Sequence, residues 1–199
     1  MSKNVLIFSG LDSSGQFVLW VTDGTAAGTF ELPMAAGEYT GGGGFRPLNF
    51  FAFDGKVLFS GLDSYDQDGL WVTDGTQAGT YMVDDINPTG DSADISYLTT
   101  LNGLLIFSAN DGVHRQQLWA SNGTQQGTLM IDDINLTGSA DIKYLAVVDC
   151  ELYFTANDGI HGIQLWKTNG TAAGTSMVDD INKLPSGLTA AEVDAALGK

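Results

Sequence analysis

The stretch Leu118-Trp119-Ala120-Ser121-Asn122-Gly123-Thr124-Gln125-Gln126-Gly127-Thr128 is one of four near-copies in the chain. Trp20, Trp71, Trp119 and Trp166 stand 51, 48 and 47 residues apart, each directly after a leucine. Three residues past each tryptophan comes Asp23-Gly24-Thr25, Asp74-Gly75-Thr76, Asn122-Gly123-Thr124 or Asn169-Gly170-Thr171, and each of these is followed by Gly-Thr at 28, 79, 127 and 174. Three copies run on into Asp84-Asp85-Ile86-Asn87, Asp132-Asp133-Ile134-Asn135 and Asp179-Asp180-Ile181-Asn182. Agreement of this length in four places marks a tandem repeat, and a period near 48 is that of one supersecondary unit.

Working outward from the motif, each unit reads as four short strands. In the third unit they cover roughly residues 95–101, 104–109, 117–121 and 128–132. Asn102-Gly103 joins the first two as a tight hairpin, because both residues tolerate φ > 0. The Asn122-Gly123 element turns the third strand toward the fourth. Short apolar runs between Gly, Asp and Asn turns predict an all-β fold, a β-propeller of four four-stranded repeats. Its blades fall at about 5–36, 45–90, 94–137 and 141–183, within a repeat domain spanning 1–183. The opening unit begins at its second strand, so fifteen strands are expected. In the tail, 184–199, Thr189 with Glu192 three residues on is a capping box and predicts a short helix. Two architectures fit: four blades closing alone, or two chains forming one eight-bladed ring. A half-ring exposes two apolar faces, so a homodimer is the expected partnership.

The motif Leu-Trp-x-x-(Asp/Asn)-Gly-Thr-x-x-Gly-Thr resembles the bacterial ELWxxDGT repeat family, tandem units of large secreted or surface proteins. The likeness covers residues 5 to about 183, with Val18, Gly69, Gln117 and Gln164 standing where the family has Glu. It implies a location outside the cell or at the surface of a bacterium. A second resemblance is to the tryptophan-docking motif of eight-bladed quinoprotein propellers, carried here by Gly10/Asp12/Trp20, Gly61/Asp63/Trp71, Ala109/Asp111/Trp119 and Ala156/Asp158/Trp166. It implies that a flat ring packs over a small residue of a neighbouring blade while the Asp bonds local backbone.

The 199 residues carry 24 acids against 8 basic residues, a net charge of −16, and 20 of the acids are Asp. Asp favours turns, where its side chain meets nearby N–H groups, so most of this acid belongs to the repeated turns. So negative a surface repels phosphate and speaks against nucleic acids and anionic membranes. No apolar run approaches the ~20 residues of a membrane span, and Met1 to Phe8 does not form a signal peptide. Cys150 is the only cysteine and, beside the apolar run 145–148, is expected to be a small buried hydrophobe.

Repetition argues against catalysis, since residues present in every blade serve the blade. His114 and His161 occupy equivalent places in two units and are expected to hold loops. The expected function is a non-catalytic binding or interaction module, with carbohydrate as the concrete ligand and Trp71, Trp119 and Trp166 as candidate sugar-stacking rings. A hydrolase with a site in the central channel and a self-assembling scaffold are the alternatives. Calcium is the candidate cofactor, because Asp63-Ser64-Tyr65-Asp66-Gln67-Asp68-Gly69 places Asp63, Asp66 and Asp68 in half of a calcium loop, although no bidentate Glu follows. Gly41-Gly42-Gly43-Gly44 reads as a loop, with no helix or Lys after it to make a phosphate cradle.

Overall fold

A computed structural model of the chain describes residues 5–34, 45–62 and 67–181. Among them the chain is all-β, with fifteen strands in four antiparallel sheets. The first sheet has three strands, β1 (Leu6–Leu11), β2 (Phe17–Thr22) and β3 (Phe30–Glu31). The second has β4 (Leu48–Phe53), β5 (Lys56–Leu62), β6 (Asp68–Thr73) and β7 (Tyr81–Asp84). The third has β8 (Ser96–Leu101), β9 (Leu104–Asn110), β10 (Gln116–Ser121) and β11 (Thr128–Asp132). The fourth has β12 (Lys143–Val148), β13 (Glu151–Asn157), β14 (Ile163–Thr168) and β15 (Ser176–Asp179). Each is an up-and-down meander in chain order. The strand count and the three-stranded first sheet match the expectation from sequence. The terminal helix expected at 184–199 lies outside the described residues.

The repeated turn is a closed hydrogen-bond unit. In the second sheet Asp74 Oδ1 accepts from the Thr76 amide (2.9 Å) and hydroxyl (2.7 Å), and the Thr76 hydroxyl accepts from Gly79 N (3.1 Å). Thr80 Oγ1 donates to Thr76 O at 2.7 Å and lies 2.6 Å from the hydroxyl of Thr73 at the end of β6. The same bonds recur around Asp23, Asn122 and Asn169. A Cβ on Gly28, Gly79, Gly127 or Gly174 would fall on that Asp or Asn side chain, which explains why the second Gly of the motif is invariant across the four copies.

Side chains alternate faces along a strand, so Leu and Trp of each Leu-Trp pair point to opposite neighbours. Leu19 meets Trp71 in the core between sheets 1 and 2. Leu70 meets Trp119 between sheets 2 and 3. Leu118 and Phe154 fill the core between sheets 3 and 4, with half-buried Trp166 against it. Three cores thus join four sheets in series. None joins sheet 4 to sheet 1 among the described residues, and the sheets are not closed.

Two expectations are corrected. Trp20 and Trp71 cover the small residue of their own sheet, not of a neighbour: Trp71 Nε1 donates to the Gly61 carbonyl at 2.9 Å, and a Cβ on Gly10 would come within 2.7 Å of Trp20 Cδ1. Trp71, Trp119 and Trp166 also pack against the core shared with the preceding sheet. Cys150 is exposed, because Asp149 and Cys150 (φ 48° and 64°) form the two-residue turn between β12 and β13, where Asp54-Gly55 and Asn102-Gly103 stand in the preceding units. The acid of the docking motif does bond local backbone: Asp12 accepts from Ser14 N and Gln16 N, and Asp111 from Val113 N and His114 N.

Candidate functional site

Between sheets 2 and 3 lies an open cleft of two adjoining cavities, about 250 and 420 Å³, the smaller lined mainly by apolar surface and the larger by polar and apolar surface together. Leu48, Ser60, Asp68 and Ser92 line both cavities. Arg46 lines the smaller, and Asn49, Asp94, Ser96 and Gln116 line the larger. The walls are held by bonds that cross between the sheets. Asp68, at the start of β6, accepts from Ala93 N through Oδ1 at 2.6 Å. Asn49 Nδ2 donates to Ile95 O (2.8 Å) and to Ser60 Oγ (3.1 Å). Ser92 Oγ donates to Asp94 Oδ1 at 2.9 Å, and Gln116 Nε2 reaches Asp94 O at 3.3 Å. The outcome is a fixed array of hydroxyl, amide and carboxylate groups, suited to a hydroxylated ligand.

The first strand of each four-stranded sheet carries a bulge. Asn49, Tyr97 and Tyr144 sit at equivalent places with φ of 55°, 55° and 56°, and pairing with the next strand breaks there. A bulge re-aims a side chain out of the pleat. Tyr97 is 45% exposed and Tyr144 79% exposed, on strands β8 and β12 of neighbouring sheets.

The sequence-expected residues are distributed differently. Trp71 is fully buried and Trp119 nearly so, and neither presents a ring face to solvent. Trp166 is half-buried against the core of sheets 3 and 4. The indole N–H groups of Trp20, Trp119 and Trp166 are buried and find no acceptor among the described residues, in contrast to Trp71. Asp63 and Asp66 lie outside the described residues, as does the Gly41–Gly44 loop. Asp68 is a cleft wall residue, and among the described residues no group of three His, Cys, Asp or Glu side chains could hold a metal ion.

The histidines hold loops. His114 Nδ1 lies 2.6 Å from Asp111 Oδ2, and His161 Nδ1 lies 2.6 Å from Asp158 Oδ2. Burial by itself would raise the Asp158 carboxyl, but bonds from the His161 ring and amide and from Ile160 outweigh it and hold it at about 2. Each imidazole is raised in turn, first by the hydrogen bond to its Asp. Where the resembled family has Glu, Gln117 is buried and binds the Asp-Asp-Ile-Asn segment of its own sheet, donating to Asn135 O at 3.2 Å and accepting from Asn135 N at 3.4 Å. In two of those segments burial raises the first acid, Asp84 and Asp132, above its ordinary value.

Asn49, Ser92, Asp94 and Gln116 escaped the sequence reading, which weighed repeated residues. One signal was present. Three residues before each Trp stand Phe17, Asp68, Gln116 and Ile163, so the polar pair around this cleft occurs where the repeat breaks.

No family model matches the chain, and no curated protein matches it. Among solved structures it is similar to a puromycin hydrolase mutant crystallised with PGG, at 12% identity and a TM-score of 0.58. The match takes in 92% of this chain and 28% of the hydrolase chain. At that identity the likeness concerns the fold alone.

Proposed function

We propose that the chain is a non-catalytic binding module of the propeller type, four blades of a ring, that takes carbohydrate along the edge formed by the cleft and the two bulge tyrosines. The observation that carries this is two exposed aromatic rings at equivalent bulges, Tyr97 following the cleft residue Ser96 directly in the chain. Sugars are recognised by stacking their apolar faces on aromatic rings while hydroxyls meet oriented amides and carboxylates, and Tyr97 and Tyr144 offer such rings in the third and fourth repeats. This moves the expected repeated sugar contact from the buried tryptophans to the bulges. In this reading His114, His161 and Asp68 serve the framework, both histidines bonding to an Asp of their own loops and Asp68 accepting from Ala93 N. The resemblance to secreted and surface proteins supports a site of action outside the cell or at the surface of a bacterium.

A glycan array run with and without calcium tests the reading. Binding to one glycan class is expected, lost in Tyr97→Ala and Tyr144→Ala and in the cleft-filling Ser92→Trp, with thermal unfolding unchanged because all three side chains are exposed. An array blank in both conditions, or binding indifferent to all three changes, overturns it. Dependence on calcium would direct attention to Asp63 and Asp66.

A further inference from the structure

The two ends of the series of sheets carry opposite halves of one junction. At each internal junction the earlier sheet supplies the Leu of its Leu-Trp pair, and the later sheet supplies a Phe from its second strand: Phe59, Phe107 and Phe154. The later sheet's Trp lies in or against the same core. Among the described residues nothing covers this second half on sheet 1: Phe8 stacks on Trp20 at 6.4 Å, both half-exposed. Among the described residues nothing covers the first half on sheet 4. Leu165 is 36% exposed where Leu19, Leu70 and Leu118 are all at 0%, and Val178 is exposed where Leu32, Val83 and Ile131 are buried.

We propose that these faces bind each other between two copies of the chain, sheet 4 of each copy covering sheet 1 of the other, to give a closed ring of eight sheets. The chain shows three times what covers such a face, namely the complementary face of the same repeat. Charge supports the same pairing. Opposite Trp71, Trp119 and Trp166 on the adjacent strand stand Met82, Met130 and Met177, whereas Glu31 stands opposite Trp20. One residue after each Trp come Val21, Val72 and Ala120, whereas Lys167 follows Trp166. Val21 and Met82 share the first core, and Val72 and Met130 the second. The junction between copies therefore sets Glu31 against Lys167, a cation that already holds Glu151 at 3.0 Å. The contact is heterologous, and a twofold arrangement uses each face once and leaves neither open.

The inference rests on the propeller reading but not on its ligand. Sedimentation or native mass measurement of the full chain at micromolar concentration should give twice the 21.0 kDa chain mass. Leu165→Asp should give the single-chain mass with unchanged circular dichroism, since the residue is already partly exposed. Glu31→Lys and Lys167→Glu should each weaken the dimer about tenfold, and the double exchange should restore it. A single-chain mass for the unaltered protein overturns the inference, as does a ladder of larger species or a dimer indifferent to Leu165→Asp. Glycan binding measured on the single-chain Leu165→Asp form keeps failure of this inference distinct from failure of the ligand reading.

Discussion

The junction between sheets 2 and 3 and the outward faces of sheets 1 and 4 are written in the same residues and behave differently. At the junction Leu70 and Phe107 are sealed and Trp119 is nearly so; at the ends Trp20, Phe8 and Leu165 are open. The difference lies in the neighbour and not in the strand that carries the residue. A repeat motif therefore specifies half of an interface, and its burial depends on which sheet follows or precedes it.

The sharpest way to break this comparison is to truncate the rings. Trp71→Ala removes a fully buried indole and its bond to Gly61 O and should cost roughly 3–5 kcal/mol. Trp20→Ala should cost well under half of that in urea unfolding of dilute protein. Equal costs would mean that sheet 1 is covered in solution even when dilute. The leucines give the next largest effect. Leu118→Ala should cost about 2–5 kcal/mol at any protein concentration. Leu165→Ala should show its effect only where copies associate, as a concentration-dependent loss of stability.

The repeat's local chemistry was open to reading from the sequence because it closes within a few residues. The Asp74-Gly75-Thr76 turn, the Asn102-Gly103 hairpin and the backbone role of Asp111 each depend on neighbours no more than seven positions away. The three-stranded first sheet followed from counting apolar runs. What stayed hidden depends on contacts across sheets. Phe45 replaces the Ala93 and Ala140 of later units, and Gly61 replaces Ala109 and Ala156 to make room, since a Cβ on Gly61 would lie 2.8 Å from the Phe45 ring. Asp68 looked like a metal ligand by its spacing, and only the approach of Ala93 N from sheet 3 shows its place in the cleft wall. The tryptophans share one letter and one frame, so nothing in the sequence separated buried rings from open ones.

The turn provides a smaller, neighbour-independent contrast. Asp74→Ala loses two hydrogen bonds to Thr76 and should cost about 1–2 kcal/mol. Gly79→Ala should cost more, because the new methyl collides with the Asp74 carboxylate. The double change should cost less than the sum, since removing the carboxylate removes the collision. The same cycle at Asp23 and Gly28 should give the same coupling, as that turn closes on itself whether or not a sheet lies beside it. A coupling confined to the second sheet would show that the turn feels the junction after all.

The smallest expected effect separates loops that have a preceding sheet from the one that does not. Gly112 and Gly159 each approach the Asn of the sheet before them so closely that a Cβ would lie 2.5 and 2.7 Å from Asn87 and Asn135, and each is followed by an Asp-bound histidine. The corresponding loop of sheet 1 has Gly15 in the histidine's place, and among the described residues no sheet packs before it. His161 is raised above its ordinary 6.5 by Asp158, so the stability this gives is complete below 6.5 and fades as pH climbs through the folded value. Asp158 is lowered from 3.8 to about 2, so its share is complete above 3.8 and fades as pH falls toward 2. The loops are therefore held best between about pH 4 and 6.5. Proton NMR titration should find both histidines titrating above 6.5. Asp158→Asn should return His161 toward 6.5 and leave His114 raised, because each ring answers to its own Asp. Two unshifted histidines would mean that the loops do not hold these pairs in solution, and that the contact with the preceding sheet alone fixes them.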